Sequence, residues 1–262
     1  MFEAEVRGPK LGVGIRPWAS CVVRDLGRIG YAEAFAIQQD LVAQRKRGEI
    51  PDQLLIVEHP HVVTMGRNGR NENVLASPEV LARSGIEFHL TDRGGDVTYH
   101  GPGQLVGYPI IDLRGDLPGK KGPHLGPVDY VRLLEEVLIR TCGEFGVMTQ
   151  RICKLTGVWT MAGGSIREKK IAALGVHVSQ GVTSHGFALN VTTDLREFEW
   201  IIPCGLTDRE VTSLELEADA AHTPTMESAM HSTARNFGRV FERQMLWCES
   251  LDAILHPVEQ AL

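Results

Sequence analysis

No apolar run in the 262 residues approaches the ~18 that a membrane-spanning helix needs, so a soluble, globular chain is expected. No excess of positive charge is present either. The formal net charge is -6, which argues against a nucleic-acid binder, whose affinity rests on a broad basic surface. The basic clusters "QRKR" (44–47), "GRNGR" (66–70) and "REKK" (167–170) are short enough to be solvated turns and helix ends, although any of them can steer an acidic protein partner. The N-terminal "MFEAEVRGPKLGVG" carries acid where a secretory signal needs base, and a long apolar stretch does not follow it; a cytoplasmic protein is the expectation. No C-x-x-C pair occurs among Cys21, Cys142, Cys153, Cys204 and Cys248, and an odd number cannot all pair within one chain, so reduced thiols are expected. Linkers and repeats are lacking as well. A single domain over residues 19–250 is expected, with an N-terminal extension 1–18 and a C-terminal tail 251–262.

Nucleotide-binding and metal signatures are missing too. "GPGQLVG" departs from G-x-G-x-x-G by one residue, follows a polar strand and leads into Tyr-Pro instead of a helix. His59 and His61 flank Pro60 in "EHPH", but no third and fourth ligands stand at a recognisable spacing. A structural or pocket-lining role is expected for both, and for His177 and His185. Neither a metal nor a cofactor is expected.

What is present mixes helices and strands without regular βαβ alternation. "YAEAFAIQQDLVAQRKRGE" places Ala34, Ile37 and Leu41 at helical spacing, and "VDYVRLLEEVLIRTCGEFG" does the same with Val131, Leu134, Val137 and Leu138, with Asp129 as a candidate N-cap. "DQLLIVEHPHVVTMGR" reads as extended chain broken at Pro60, and strand character returns after Gly103. "GVWTMAGGSIREKKIAALGVHVSQGVTSHGFALNV" gives three extended runs in a meander, with turns at "AGGSIREK" and "SQGVTSHG". Thr225 to Trp247 reads as a closing helix. The fold class is α+β, with a mixed, largely antiparallel sheet and flanking helices.

"RGGDVTYHGPGQLVGYPI", residues 93–110, holds five glycines and two prolines. Turn geometry accounts for Gly101-Pro102-Gly103, but not for Arg93, Thr98, Tyr99 and His100 along a strand-like approach. Glycine lets backbone approach a ligand closely, so the stretch reads as the floor of a small-molecule pocket. Cys204 lies in "EWIIPCGLTD" between Pro203 and Gly205, in a shaped turn, whereas packed apolar thiols are expected at the other four cysteines. A nucleophilic thiol of ordinary pKa about 8.5 needs a basic or cationic neighbour. Lys170 opens the apolar run "KIAALGVHV", an unusual place for a solvated lysine, while Lys169 suits solvent. Lowering the thiol pKa by one corresponds to about 1.4 kcal/mol of thiolate stabilisation.

Taken in order, "EHPHVVTMGR", "RGGDVTYHGPGQLVGYPI", "KIAALGVHV", "HGFALNV" and "IIPCGLTD" resemble the lipoyl(octanoyl) transferase family over roughly residues 20 to 250. The resemblance implies a fold similar to the biotin/lipoate protein ligase catalytic domain. It implies transfer of an octanoyl or lipoyl group from acyl carrier protein to a lysine of apo lipoyl domains, in 2-oxo-acid dehydrogenase complexes and the glycine-cleavage carrier protein. It matches Cys204 to an acyl-accepting nucleophile and Lys170 to the residue that lowers its pKa. Substrate binding is matched to Arg93, Gly94, Gly95, Asp96, Val97, Thr98, Tyr99 and His100, to Ala173, Leu174 and Gly175, and to Gly186, Phe187 and Ala188. Ala173 stands where many relatives have Ser, and His177 where Arg is frequent. The alternatives are an ATP-dependent lipoate or biotin ligase, a thioesterase or cysteine hydrolase, and a non-catalytic module that binds acyl chains or carrier protein.

Overall fold

Leu54-Leu55-Ile56-Val57 shows no alternation of apolar and polar residues, and the architecture explains why: the strand they form is covered on both faces. The computed structural model describes residues 19–162, 167–203, 209–219 and 221–248. The chain enters as β1 (Ala19–Arg28), α1 (Tyr31–Arg47), β2 (Asp52–Glu58) and β3 (Val62–Met65), then α2 (Pro78–Arg83), β4 (Glu87–Leu90), β5 (Val97–His100) and β6 (Gln104–Ile110). It continues through α3 (Pro127–Glu144), β7 (Thr149–Ile152), β8 (Leu155–Thr160), β9 (Lys170–Ser179) and β10 (Val182–Asn190), and ends with α4 (Leu214–Glu217), α5 (Met226–Phe241) and β11 (Arg243–Cys248).

Eight strands form one sheet in the order β11-β1-β2-β6-β10-β9-β8-β7, parallel at its first two pairings and antiparallel beyond. A second sheet, β4-β3-β5, stands apart from it. Helix α1 covers one face of the large sheet, with Ala34 and Leu41 against Leu55, Val57 and Val106. Helices α3 and α5 cover the other, with Leu134, Val137 and Phe237 against Leu54, Ile56 and Leu105. Each of the larger side chains, Leu, Ile, Val or Phe, contributes on the order of 2 kcal/mol by leaving water. The fold is α+β, as the alternation-free order of elements implies.

The expected elements are present with instructive shifts. Helix α1 stops at Gly48, whose φ of 75° is left-handed and whose N–H closes onto Arg45. Asp129 is not the N-cap of α3: Gly126 takes that position, Pro127 opens the helix, and Asp129 sits in the first turn. The turn between β9 and β10 is only Gln180-Gly181, at φ 53° and 81°, so β10 resumes at Val182, well inside the expected turn. Residues 163–166 of the expected "AGGSIREK" turn lie outside the described residues. Pro60 separates β2 from β3, which belong to different sheets.

The closing helix is shorter than the sequence reading. A capping box of Thr225 and Ser228 starts it at Met226, but it ends at Phe241, and Arg243 to Cys248 form a strand paired with β1. Strand β1 has no clear sequence signature, because Arg24 and Asp25 interrupt its apolar pattern. Of the four cysteines expected to be packed thiols, Cys21 and Cys142 are buried, but Cys153 is exposed in the β7–β8 turn and Cys248 is half-buried on the edge strand. Among the described residues, no helix is long and apolar enough to cross a membrane.

Candidate active site

The register of three strands lays down a floor of small side chains. Ala173 faces Ala188 and Gly175 faces Gly186 across β9 and β10, and Ala188 in turn faces Val106 on β6. Residues 91–96, between β4 and β5, cross above it, with the Gly94 N–H donating to the Val176 carbonyl at 2.9 Å. A Cβ at Gly175 would stand 2.7 Å from the Gly94 carbonyl oxygen, so only glycine allows this crossing. Arg93 holds the loop down: its guanidinium donates to the Thr64 carbonyl at 2.7 Å and the Thr64 hydroxyl at 3.0 Å.

Floor and loop border a concave cleft lined mostly by small and apolar side chains with a few polar groups, the make-up of a small-ligand site. Of the residues matched to substrate binding, Arg93, Gly95, Asp96, Val97, Thr98 and His100 line it from the loop and β5. Ala173, Leu174, Gly175, Gly186, Phe187 and Ala188 line it from β9 and β10. Gly94 and Tyr99 do not. Tyr99 packs edge-on against Phe198 and its hydroxyl meets His61 Nδ1 at 2.7 Å. Val106 and Tyr108 also line the cleft, inside the stretch 93–110 read as its floor although not singled out there, and Tyr31 lines it from a place that sequence reasoning misses. Tyr31 opens α1 and Tyr108 lies on β6, and neither carries a local signal beyond the pattern of its own element.

Lys170 is 6% exposed, whereas Lys169 beside it is 36% exposed and pairs with Glu210. The Lys170 ammonium lies 4.8 Å from the centre of the Trp159 ring, a cation–π contact that offsets part of the cost of burial. Its backbone is strapped on both sides, the Lys170 N–H donating to Glu210 and the Lys170 carbonyl accepting from the Thr212 N–H. A second cavity joins Lys170 to Pro203, and it shares Thr98, Ala173 and Ala188 with the cleft. Cys204 lies outside the described residues.

The histidines are held by specific partners. His59 is buried, with Nδ1 donating to the Ile29 carbonyl and Nε2 accepting from the Tyr108 hydroxyl at 2.8 Å. His185 and His177 converge on Asp92, at 2.7 Å and 3.7 Å. Among the described residues, no group of three or more His, Cys, Asp or Glu is placed to hold a metal ion.

Burial, with His59 beside it, pushes the pKa of His100 down to about 3. Burial also lowers His59 and His185. A histidine whose folded pKa is depressed stays neutral where the unfolded chain takes up a proton, so its stabilisation is present above about pH 6.5 and is lost as pH falls. Glu136 and Glu144 are also depressed, but their contribution is lost only below their ordinary value of 4.5. Urea unfolding is therefore expected to show stability falling between about pH 6.5 and 5. His100 alone sets a slope of about 1.4 kcal/mol per pH unit, and His100→Phe should flatten the curve.

The arrangement defines a class first. The solved structures most like it include a lipoate-protein ligase A bound with ATP (15% identity, TM-score 0.65, covering 90% of this chain and 92% of that one). Another is a bi-partite lipoate protein ligase, solved with its E2 lipoyl domain, from Thermoplasma acidophilum (15% identity, TM-score 0.64, 91% of each chain). The fold is that of the lipoate-protein ligases. The family described as lipoyl protein ligase A/B catalytic domain matches residues 30–238, and the chain belongs to it. Within that family, an octanoyltransferase of Acidobacterium capsulatum is 61% identical over 86% of this chain and 92% of its own. One of Koribacter versatilis is 52% identical over 90% of each. The chain is accordingly an acyltransferase of the octanoyltransferase group, acting in protein lipoylation.

Proposed function

We propose that the chain takes an octanoyl group from acyl carrier protein onto Cys204 and passes it to the lysine of an apo lipoyl domain. The acceptors are the lipoyl domains of 2-oxo-acid dehydrogenase complexes and the glycine-cleavage carrier protein, and the work is done by residues 19–250 in the cytoplasm. One observation carries this reading: buried Lys170 and Pro203, the neighbour of Cys204, line one cavity that shares Thr98, Ala173 and Ala188 with the cleft.

The Cys204 thiolate, held beside the Lys170 ammonium, attacks the thioester carbonyl. The C–S bond to the carrier breaks, and the departing sulfur takes its proton from Lys170. The lysine amine of the lipoyl domain then attacks the Cys204 thioester. A C–N bond forms, the electron pair of the breaking C–S bond returns to Cys204, and Lys170 regains its proton from the amine. Backbone N–H groups lining the cleft stabilise the oxyanion of each step. Thioester exchange keeps the acyl group activated and amide formation runs downhill, so no nucleotide enters.

The test omits nucleotide. Octanoyl-loaded acyl carrier protein is mixed with the enzyme, and intact mass with peptide mapping is expected to place one octanoyl group on Cys204. Cys204→Ala should carry none. An adduct that persists in Cys204→Ala, or a strict need for ATP, would overturn the scheme.

A further inference from the structure

Behind the cleft, three side chains form a hydrogen-bond relay whose direction is fixed at both ends. Asn190 Nδ2 donates to the Thr212 carbonyl at 2.9 Å, and since a carbonyl only accepts, Asn190 must turn Oδ1 toward Gln104. Gln104 Nε2 donates to that oxygen at 2.9 Å and to the Tyr99 carbonyl at 3.2 Å, so a second backbone acceptor orients the Gln104 amide independently. Gln104 Oε1 therefore faces His100 Nδ1, 2.7 Å away, and the imidazole proton must sit on Nδ1. The edge that remains is Nε2, a bare lone pair on a ring that lines the cleft.

Burial is the main reason His100 stays neutral. His59, 6.0 Å away between ring centres on the chain after β2, and Arg93 and His185, from the loop and β10, further oppose a charge on it. Its depressed pKa, about 3, makes Nε2 too weak a base to remove a proton at neutral pH. It is a hydrogen-bond acceptor only. An acyl chain offers it nothing, since a thioester carbonyl and sulfur accept hydrogen bonds and do not donate them. Of the groups that form or break a bond at the acyl carbon, the attacking amine is the one that brings N–H donors.

We propose that Gln104 and Asn190 lock His100 as the Nδ1–H tautomer, so that His100 Nε2 accepts an N–H of the incoming lipoyl-domain lysine and aims its lone pair at the acyl carbon. This rests on the two-step reading above. His100 is then a residue of the second half-reaction, and Gln104 and Asn190 are positioning residues that act through it. The relay ends on Thr212, whose own N–H holds the Lys170 carbonyl at 2.9 Å, so the strand carrying the proton acceptor and the ring orienting the amine share one scaffold.

Two measurements test this on the full chain. In the first, two-bond proton–nitrogen spectra of ¹⁵N-histidine-labelled protein are expected to show His100 protonated at Nδ1 and bare at Nε2, unchanged from about pH 8 to about pH 5. A ring protonated at Nε2 would overturn the proposal whatever Cys204 does. In the second, the half-reactions are separated. Acylation of Cys204 is measured with the octanoyl thioester of N-acetylcysteamine, and single-turnover transfer is measured from purified octanoyl-enzyme to an apo lipoyl domain.

His100→Phe is expected to leave acylation within about threefold and to slow transfer about tenfold, the loss of one neutral hydrogen bond. Equal slowing of both steps would overturn the proposal, and slowing of acylation alone would assign the lone pair to the donor's arm instead. Gln104→Leu provides a second route that leaves the ring in place. It removes the acceptor that holds the proton on Nδ1, so the two-bond spectrum should show His100 protonated in part at Nε2 and transfer should slow more than acylation does. A variant with the wild-type spectrum and the wild-type transfer rate would sink the tautomer argument. Absence of any Cys204 adduct would count against the thioester scheme, while the spectrum judges the tautomer by itself.

Discussion

Lys170→Met is expected to slow acylation of Cys204 by about 10²–10⁴-fold, the range for loss of a positioned proton donor, and to move alkylation of Cys204 to higher pH. Methionine keeps the length and apolar stem of the lysine, so the cavity shared with Pro203 stays filled and the Trp159 ring keeps a neighbour. The loss is therefore chemical. Without the ammonium, Cys204 reverts toward an ordinary thiol, of which only a few per cent is thiolate near neutral pH. A rise of one pH unit in the alkylation midpoint reports about 1.4 kcal/mol of lost thiolate stabilisation. Lys169→Met is the control, because Lys169 is paired with Glu210 at the surface and should stay within about twofold of wild type. Rapid alkylation at unchanged pH in Lys170→Met would remove thiolate stabilisation from the scheme. Unchanged acylation would remove Lys170 altogether.

The cleft is legible where its chemistry is written in runs. Glycine at 94, 175 and 186 marks the places where backbone approaches backbone, and Gly175 beneath the Gly94 carbonyl shows the reason, while Gly95 takes a left-handed φ of 86°. Lys170 stands out because an ammonium at the head of an apolar strand needs a partner, and the Trp159 ring is one. Residues that meet the cleft from distant elements give no such sign. Tyr31 reads as an ordinary first residue of α1, and only the docking of α1 on β6 and β10 turns it toward the floor. Tyr99 misleads in the opposite sense, since strand alternation carries it away from Thr98 and His100 to pack on Phe198. The closing strand β11 is hidden by helix-compatible residues, and its cause lies nearly two hundred residues earlier, at Asp52.

Asp52→Ala is expected to cost about 3–5 kcal/mol, the range for leaving a buried charge without its partner. Asp52 is 4% exposed and Arg243 is 5% exposed, with Arg243 Nε donating to Asp52 Oδ2 at 3.0 Å. The other carboxylate oxygen accepts from Arg45 at 2.9 Å and from the Asp112 N–H at 3.1 Å, so one side chain ties together the end of α1, β2, the chain after β6 and the start of β11. Arg243 completes the knot by donating to the Phe241 and Asp116 carbonyls. Truncation at Asp52 leaves a guanidinium enclosed by carbonyls with no counter-charge, whereas Arg45 is 19% exposed and can turn to Asp112 or to water. In urea the midpoint should fall with the slope unchanged, because the same surface is exposed on unfolding. Asp52→Ala/Arg243→Met should recover part of the loss, since it removes the stranded charge and supplies an apolar stem of similar length. A double variant no more stable than Asp52→Ala would assign the loss to packing and hydrogen bonds around Asp52, and the pairing of β11 with β1 would then owe nothing to this ion pair.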